Sequence, residues 1–421
     1  MSIGFGPGRA LALGLAATVL LPLQAAAAPL GSDLEELLDV MEHSHPALTA
    51  AAASRDAAAA EIEIAGALPD PQFQASFEDI DRKSGSPLPD RLGSIHYNVD
   101  QTFPLGGKRT LRRDVAKADL TAVATERNQT LLDLTAEMKK AFAQHYLAVQ
   151  TTTTIDEEGK TLRDLAEIAK ERYAQGLGRQ QEAIEAEAEL PTLDITLADA
   201  ERDRTTAVGR INALIGQPVD SPLAVPSVLP PVPDVSAINV SDLISRAEER
   251  SPALAARSAA IQGATASNEL ASRNWYPDVT VGVSLVDQDR DLSGYEARIG
   301  FNIPLQWGLR QAQQGQARAK LAEAKARAAA SRVELSGNVV EALQKLRAAS
   351  AREAAIRTKQ LPRLEEAVEA AKRAYAVDQA DLADAIGTTR RLKEAEIEHI
   401  GMLYEQQALL AELERLAGGS L

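Results

Sequence analysis

The chain has 421 residues, 45 basic and 60 acidic side chains, a formal net charge of −15 and no cysteine. The acidic excess argues against a nucleic-acid partner, which needs a surplus of Lys and Arg, and suits a surface or channel that handles cations. Without cysteine there is no disulfide framework, zinc–thiolate site, thiol nucleophile or lipidated N-terminal cysteine.

Aromatics make up only 4% of the chain, and alanine-rich stretches recur, which favours helices that approach closely. Residues 1–28 read as a secretory signal peptide: Arg9 is the charged region, Ala10–Leu23 the apolar run and Ala26-Ala27-Ala28 the cleavage site. The other reading is a short membrane anchor, but the apolar run falls below the roughly 20 residues of a spanning helix. No later stretch is apolar for long enough either, so a membrane role would not be carried by helices.

A first structural repeat is expected over 29–216. Ser32 and Glu35 form a capping-box pattern, and Leu34, Leu37, Leu38 and Met41 follow helical spacing. Helical composition continues to about Ala67, where Pro69-Asp70-Pro71 stops it. A strand over 72–80 alternates Phe73, Ala75 and Phe77 with Gln72, Gln74, Ser76 and Glu78. After a charged loop, a second strand over 94–105 turns Ile95, Tyr97, Val99 and Phe103 to one face. Ser94, His96, Asn98, Asp100 and Thr102 go to the other. About ten residues of this alternation are long enough to cross a bilayer as a tilted β-strand.

Gly106-Gly107 break the strand and Lys108-Arg109 open a helix. A phosphate loop does not fit, because Thr102 stands where its first glycine belongs. From Lys108 to about Tyr173 there is no proline and only one glycine, Gly159. Such a helix is about 100 Å long and packs as a coiled coil. A turn at 174–178 leads to a returning helix from about Gln180 to Ile215, with Pro191 expected to kink it and Gly216 to cap it.

A proline-rich linker, 217–238, contains Pro218, Pro222, Pro226, Pro230, Pro231 and Pro233 and reads as extended. The chain then repeats itself over 239–421. Ser251-Pro252-Ala253-Leu254 echoes His45-Pro46-Ala47-Leu48, and Pro277-Asp278 echoes Pro69-Asp70. Strands are expected at 279–287 and 294–305, the second ending in Ile303-Pro304-Leu305 as the earlier one ends in Phe103-Pro104-Leu105. A long helix from about Leu309, interrupted or kinked near Pro362, a turn near Ala376–Ala380 and a helix to about Ala417 complete two copies of one unit.

The expected fold class is mainly α with a transmembrane β part: long coiled-coil helices in two internal repeats plus four strands per chain. Four strands cannot close a barrel, and lipid does not tolerate open edges. Other copies must therefore pair them, and three copies would give a twelve-stranded barrel. A soluble helical protein with two hairpins is the alternative, but it leaves both apolar faces exposed and has no use for an export signal.

The two-repeat order, the Gln101-Thr102-Phe103-Pro104-Leu105 strand end, the Tyr173-Ala174-Gln175-Gly176 turn, the Asn212-Ala213-Leu214-Ile215-Gly216 helix end and the proline linker together resemble the TolC-type outer-membrane efflux channels. The resemblance covers roughly residues 30–415. Gly106-Gly107-Lys108-Arg109 with Arg112-Arg113 is similar to the cobalt–zinc–cadmium branch. It implies a homotrimer whose strands form one barrel in outer-membrane lipid and whose helices form a periplasmic tunnel. It also implies two partners, a periplasmic adaptor (membrane fusion) protein and an inner-membrane pump of the resistance-nodulation-division type. Localisation would be the Gram-negative outer membrane with a large periplasmic part.

The resemblance puts the tunnel's closed end at the turns 174–180 and 376–381, with Glu182 and Asp384 at acidic ring positions. Three copies of each would narrow the pore and select cations. A family arginine near the second turn is matched here by Ala380, so the family's locking bond does not carry over whole. Gly176, Leu177, Gly178 and Arg179, then Val377, Asp378 and Gln379, are the expected adaptor-contact residues; plain turn chemistry explains the glycines equally well.

His43-Ser44-His45 lacks a third ligand at readable spacing, so no metal site or cofactor is expected, and His96 is placed on the lumen side. There is no nucleophile elbow, zinc-protease motif or dinucleotide fingerprint, so the chain does not read as an enzyme. The expected function is a passive export duct for heavy-metal cations. Drug export, type I polypeptide secretion and, as a different class, a soluble periplasmic scaffold or adaptor are the alternatives.

Overall fold

The computed structural model describes residues 30–78, 94–176, 178–226, 228–288, 291–377 and 379–421. The expected signal segment, the first hairpin loop with the last two residues of the expected 72–80 strand, and Leu177 and Asp378 of the two turns lie outside these residues. The first repeat runs α1 (Leu34–Ser44), α2 (Pro46–Gly66), β1 (Gln72–Glu78), β2 (Ser94–Phe103), α3 (Lys108–Ala174) and α4 (Gln180–Leu214). The second runs α5 (Val240–Arg250), α6 (Pro252–Arg273), β3 (Val279–Gln288), β4 (Asp291–Phe301), α7 (Trp307–Ala355), a π-helical turn (Ile356–Gln360), α8 (Leu361–Ala376) and α9 (Leu382–Ala417).

The helix expected from Ser32 to Ala67 is two helices. His45 is extended, and its N–H still bonds Met41 O at 3.0 Å to close α1. Its ring then accepts from Ala47 N at 3.1 Å to open α2, with Pro46 in the first turn. The same device recurs at Ser251, whose hydroxyl accepts from Leu254 N at 3.3 Å ahead of α6. Asp33, not Ser32, caps α1, accepting from Glu35 N at 3.0 Å.

β2 and β4 stop at Phe103 and Phe301, short of the expected ends. Pro104 and Pro304 lie just beyond and have no N–H for a ladder. β4 also begins earlier than expected, at Asp291. α4 continues through Pro191. At Pro362 the chain inserts the π-turn immediately before the proline, which absorbs the missing donor without ending the helical rod. Gly216 is left-handed at φ 72°, and Gln217 N reaches back to Asn212 O at 2.8 Å, as a helix-terminating glycine should.

α3 has 67 residues, about 100 Å of helix. Three apolar clusters hold the rods together. Leu37, Met41, Met138, Phe142 and Ile211 join α1, α3 and α4. Leu243, Val339, Leu343, Leu346 and Leu413 join α5, α7 and α9 in the corresponding place of the second repeat. Leu162, Leu165, Ala169, Tyr375, Leu382 and Ile386 form the third, beside the turns. Each fully buried Leu or Ile contributes about 1.5–3 kcal/mol. Small residues set the spacing between rods: a Cβ on Gly263 of α6 would sit 3.3 Å from Ala118 Cβ of α3.

The four strands form one antiparallel sheet in the order β1-β2-β3-β4. β2 pairs with β3 over its full length, Ser94 opposite Gln288 through Phe103 opposite Val279, and so joins the two repeats. β1 and β4 are the sheet's edges, each with one paired side among the described residues.

Candidate functional site: a channel wall and the end of a helical shaft

The alternation in the strands produces two unlike faces. Phe73 (69% exposed), Tyr295 (86%), Val283, Ile299 and Phe301 stand on one, with no covering element among the described residues. The other is polar and internally connected. Arg298 donates to Asn98 Oδ1 at 2.7 Å and lies 3.6 Å from Asp100, while His96 lies 3.6 Å from Glu78. Gly282 makes room for this network, since a Cβ there would fall 2.0 Å from Asp100 Oδ1. An apolar band of about ten-residue strands with a polar reverse side is the pattern of a barrel wall in lipid. No described helix is long and apolar enough to cross a membrane.

The strands are fastened to the helices at one buried point. Lys108 Nζ, at the start of α3, donates to Asp278 Oδ1 at 2.7 Å and to Tyr276 O at 2.8 Å. Its side chain is 5% exposed. Asp278 also accepts from Leu105 N at 3.3 Å and donates its own N–H to Asn302 Oδ1 at 2.6 Å. Arg109 donates to Gly66 O at 2.8 Å, closing the end of α2. The Gly106-Gly107-Lys108-Arg109 segment thus serves as the joint between sheet and shaft, both glycines being left-handed.

At the other end of the shaft, Tyr375 of α8 is 2% exposed among Leu165, Ala169 and Leu382. The Arg172 guanidinium lies 5.0 Å from the centroid of its ring and donates to Tyr375 O at 3.1 Å. The Tyr375 hydroxyl donates to Glu182 Oε2 at 3.4 Å. Burial, reinforced by the Glu182 carboxylate, holds this hydroxyl above its ordinary pKa, so it remains a proton donor. Glu182 is turned inward, its side chain 13% exposed, with Arg179 Nε at 4.0 Å. Asp384, in the first turn of α9, is exposed. The two acidic positions therefore differ: one carboxylate ties α4 to α8, and the other is open to solvent.

The turns show which residues are held for shape. Gly176 is left-handed at φ 73° with open space around it, and Gly178 sits where a Cβ would be 3.2 Å from Arg172 Cβ. Arg179 and Val377 are exposed, and Gln379 N bonds Ala374 O at 2.8 Å. Of the two neighbouring histidines, His45 is spent on capping α2 and the His43 ring meets Asp39 O at 2.8 Å. Among the described residues no group of His, Asp and Glu is placed to hold a metal ion. Arg172, Tyr375 and the Lys108–Asp278 joint were not singled out from sequence. The recurrence of Tyr173-Ala174 as Tyr375-Ala376 was the signal for the first pair.

One further buried group stands apart. His145 on α3 is 1% exposed, and neither ring nitrogen has a hydrogen-bond partner among the described residues. Burial first, and the charge of Arg204 second, lower its pKa to about 4, so it is neutral at pH 7.

A sheet with one lipid-type face and two open edges, carried on rods of about 100 Å, defines a subunit of an outer-membrane channel. The chain belongs to the outer membrane efflux protein family, whose model matches residues 37–217 and 243–419, one segment in each repeat. It is 25% identical over 422 residues to the cobalt-zinc-cadmium resistance protein CzcC of Cupriavidus metallidurans, covering 98% of this chain and 96% of that one. Its fold is similar to that of the outer-membrane channel OprN, with a TM-score of 0.80 at 17% identity over 92% of this chain and 90% of the other. CusC, whose structures describe folding and transmembrane channel formation, superposes with a TM-score of 0.80 at 14% identity over 95% and 96%. The family's proteins are passive efflux channels of the outer membrane, act within tripartite systems and are not enzymes.

Proposed function

We propose that three copies of this chain form the outer-membrane duct of a heavy-metal efflux system. The single observation that carries this reading is the unfinished sheet: among the described residues, β1 and β4 each leave a row of backbone donors and acceptors unpaired beside an apolar face. In lipid such a row costs several kcal/mol per group, and three four-stranded sheets close into twelve strands with no edge left. The helices then form a periplasmic tunnel whose narrow end lies at the turns. There Asp384 supplies the exposed carboxylates, and the Tyr375–Glu182 bond holds α4 against α8.

Gly176, Gly178 and Arg179, with Val377 and Gln379, face an adaptor (membrane fusion) protein, and Leu177 and Asp378 belong to the same two turns. The driving energy comes from an inner-membrane pump of the resistance-nodulation-division type, the partner that the resemblance implies for a passive channel. Cargo is read as heavy-metal cations from the net charge of −15 and from the relative named for cobalt, zinc and cadmium resistance. Deletion followed by growth on a panel of metals and drugs tests this. Sensitivity to divalent cobalt, zinc or cadmium, restored by the gene in trans, is expected. Sensitivity to drugs alone would replace the metal reading with the drug-export one.

A further inference from the structure

The internal repeat goes further than the number of strands, because it specifies how the open edges meet. Pro69-Asp70 at the head of β1 corresponds to Pro277-Asp278 at the head of β3, and Phe103-Pro104-Leu105 after β2 to Ile303-Pro304-Leu305 after β4. This correspondence can be checked inside the chain. It carries the β1–β2 pairs Gln72↔Asp100 and Phe73↔Val99 onto Thr280↔Gly300 and Val281↔Ile299, and those are the pairs that β3 and β4 make. The two hairpins therefore share one register, residue for residue.

Applying the same correspondence to the β2–β3 seam gives the seam between subunits. We infer that β4 pairs antiparallel with β1 of a neighbouring copy in one register: Phe301 opposite the partner subunit's Phe73, Ile299 opposite the partner subunit's Ala75 and Ala297 opposite the partner subunit's Phe77. These pairs are the images of Gln101↔Val281, Val99↔Val283 and Tyr97↔Leu285 in the seam already formed. The inference rests on the trimeric reading above and adds the register to it.

Two features agree with this register. It brings apolar side chains together on the bare face and polar ones on the reverse. A slip of one residue would instead bring the partner subunit's Gln72 or the partner subunit's Gln74 beside Phe301 on the bare face. It also makes the seams unequal. The position of Lys108, which fastens the seam within the chain through Asp278, is occupied at the outer seam by Gly308, opposite the partner subunit's Asp70. Around the closed wall, lysine-fastened and unfastened seams alternate.

A chain with no cysteine allows a direct test by paired cysteines in the full-length protein, oxidised in outer membranes. Ala75→Cys with Ile299→Cys is expected to give disulfide-linked dimers and trimers on a non-reducing gel. Phe73→Cys with Ile299→Cys and Phe77→Cys with Ile299→Cys, each displaced by two residues, are expected to cross-link at least about tenfold less, such diagonal neighbours lying roughly 7–8 Å apart, beyond the usual Cα separation of a disulfide. Stronger cross-linking of either displaced pair would overturn the register while leaving the trimer intact. A trimeric mass in detergent without any cross-link would overturn edge pairing in this register as well. A monomeric mass with no cross-link in any pair would remove the trimer itself, and this inference with it.

Discussion

Replacing His145 by Leu should flatten the acid end of the protein's stability curve. In the native structure the ring is buried with no hydrogen-bond partner among the described residues, and its pKa is lowered from 6.5 to about 4. The unfolded chain takes up the proton as pH falls through 6.5, while the folded chain resists until about 4. Stability is therefore complete above pH about 6.5, declines as pH falls, and levels off below about 4. At 1.36 kcal/mol for each tenfold change in proton affinity, the full difference is about 3 kcal/mol, of which about 2.5 kcal/mol is lost by pH 4.5. Guanidinium unfolding of the detergent-solubilised protein, followed by helical circular dichroism at pH 7.5 and 4.5, reads this directly. The fall in stability between the two pH values should be smaller in His145→Leu by about 2 kcal/mol or more. Equal falls in the two proteins would refute the argument and would mean that water or a structural rearrangement solvates the ring.

The remaining expectations concern the two ends of the shaft. Asp384→Ala should lower the cation selectivity of single channels in planar bilayers, because its carboxylate is exposed, whereas Glu182→Ala and Tyr375→Phe should raise conductance by removing the α4–α8 tie. Unchanged conductance and selectivity in Asp384→Ala and Glu182→Ala together would remove the gate assignment. At the barrel end, Lys108→Met should destabilise the chain by about 2–3 kcal/mol, since it leaves Asp278 half-desolvated without its cation. A lower midpoint in the same guanidinium assay checks this, and an unchanged midpoint would show that Asp278 is satisfied by its backbone donors alone.

Much of the architecture could be read from residue periodicity. The period-2 runs at Phe73–Phe77 and Ile95–Val99 specify faces without help from tertiary contacts, and a proline-free stretch such as Lys108–Tyr173 has few options besides helix. The break at His45 was harder, because the alanine-rich sequence on both sides favours helix and only a capping interaction marks the boundary. The π-turn before Pro362 was visible as an interruption, but its form depends on how neighbouring rods hold the helix in line. The acidic residues at the turns illustrate the limit of reading by repeat. Glu182 and Asp384 occupy corresponding positions, yet only Glu182 meets a tyrosine from across the bundle. Tyr375 is buried, while its counterpart Tyr173 is 49% exposed. That asymmetry arises from packing between helices far apart in the chain, and no local pattern encodes it. The burial of His145 is not legible in the sequence, because a histidine on an alanine-rich helix has no sequence mark of which side it faces.

The buried lysine at the head of α3 has a mechanical corollary. It welds one strand pair of every subunit to the rods beneath, whereas in the proposed trimer the boundary between subunits would have Gly308 at that place. Torque applied to the rods from the periplasmic side would thus reach the wall through the welded pairs and be absorbed at the ungripped boundaries. Twisting of the shaft would then turn each subunit as a stiff stave, with the give confined to the joints between staves.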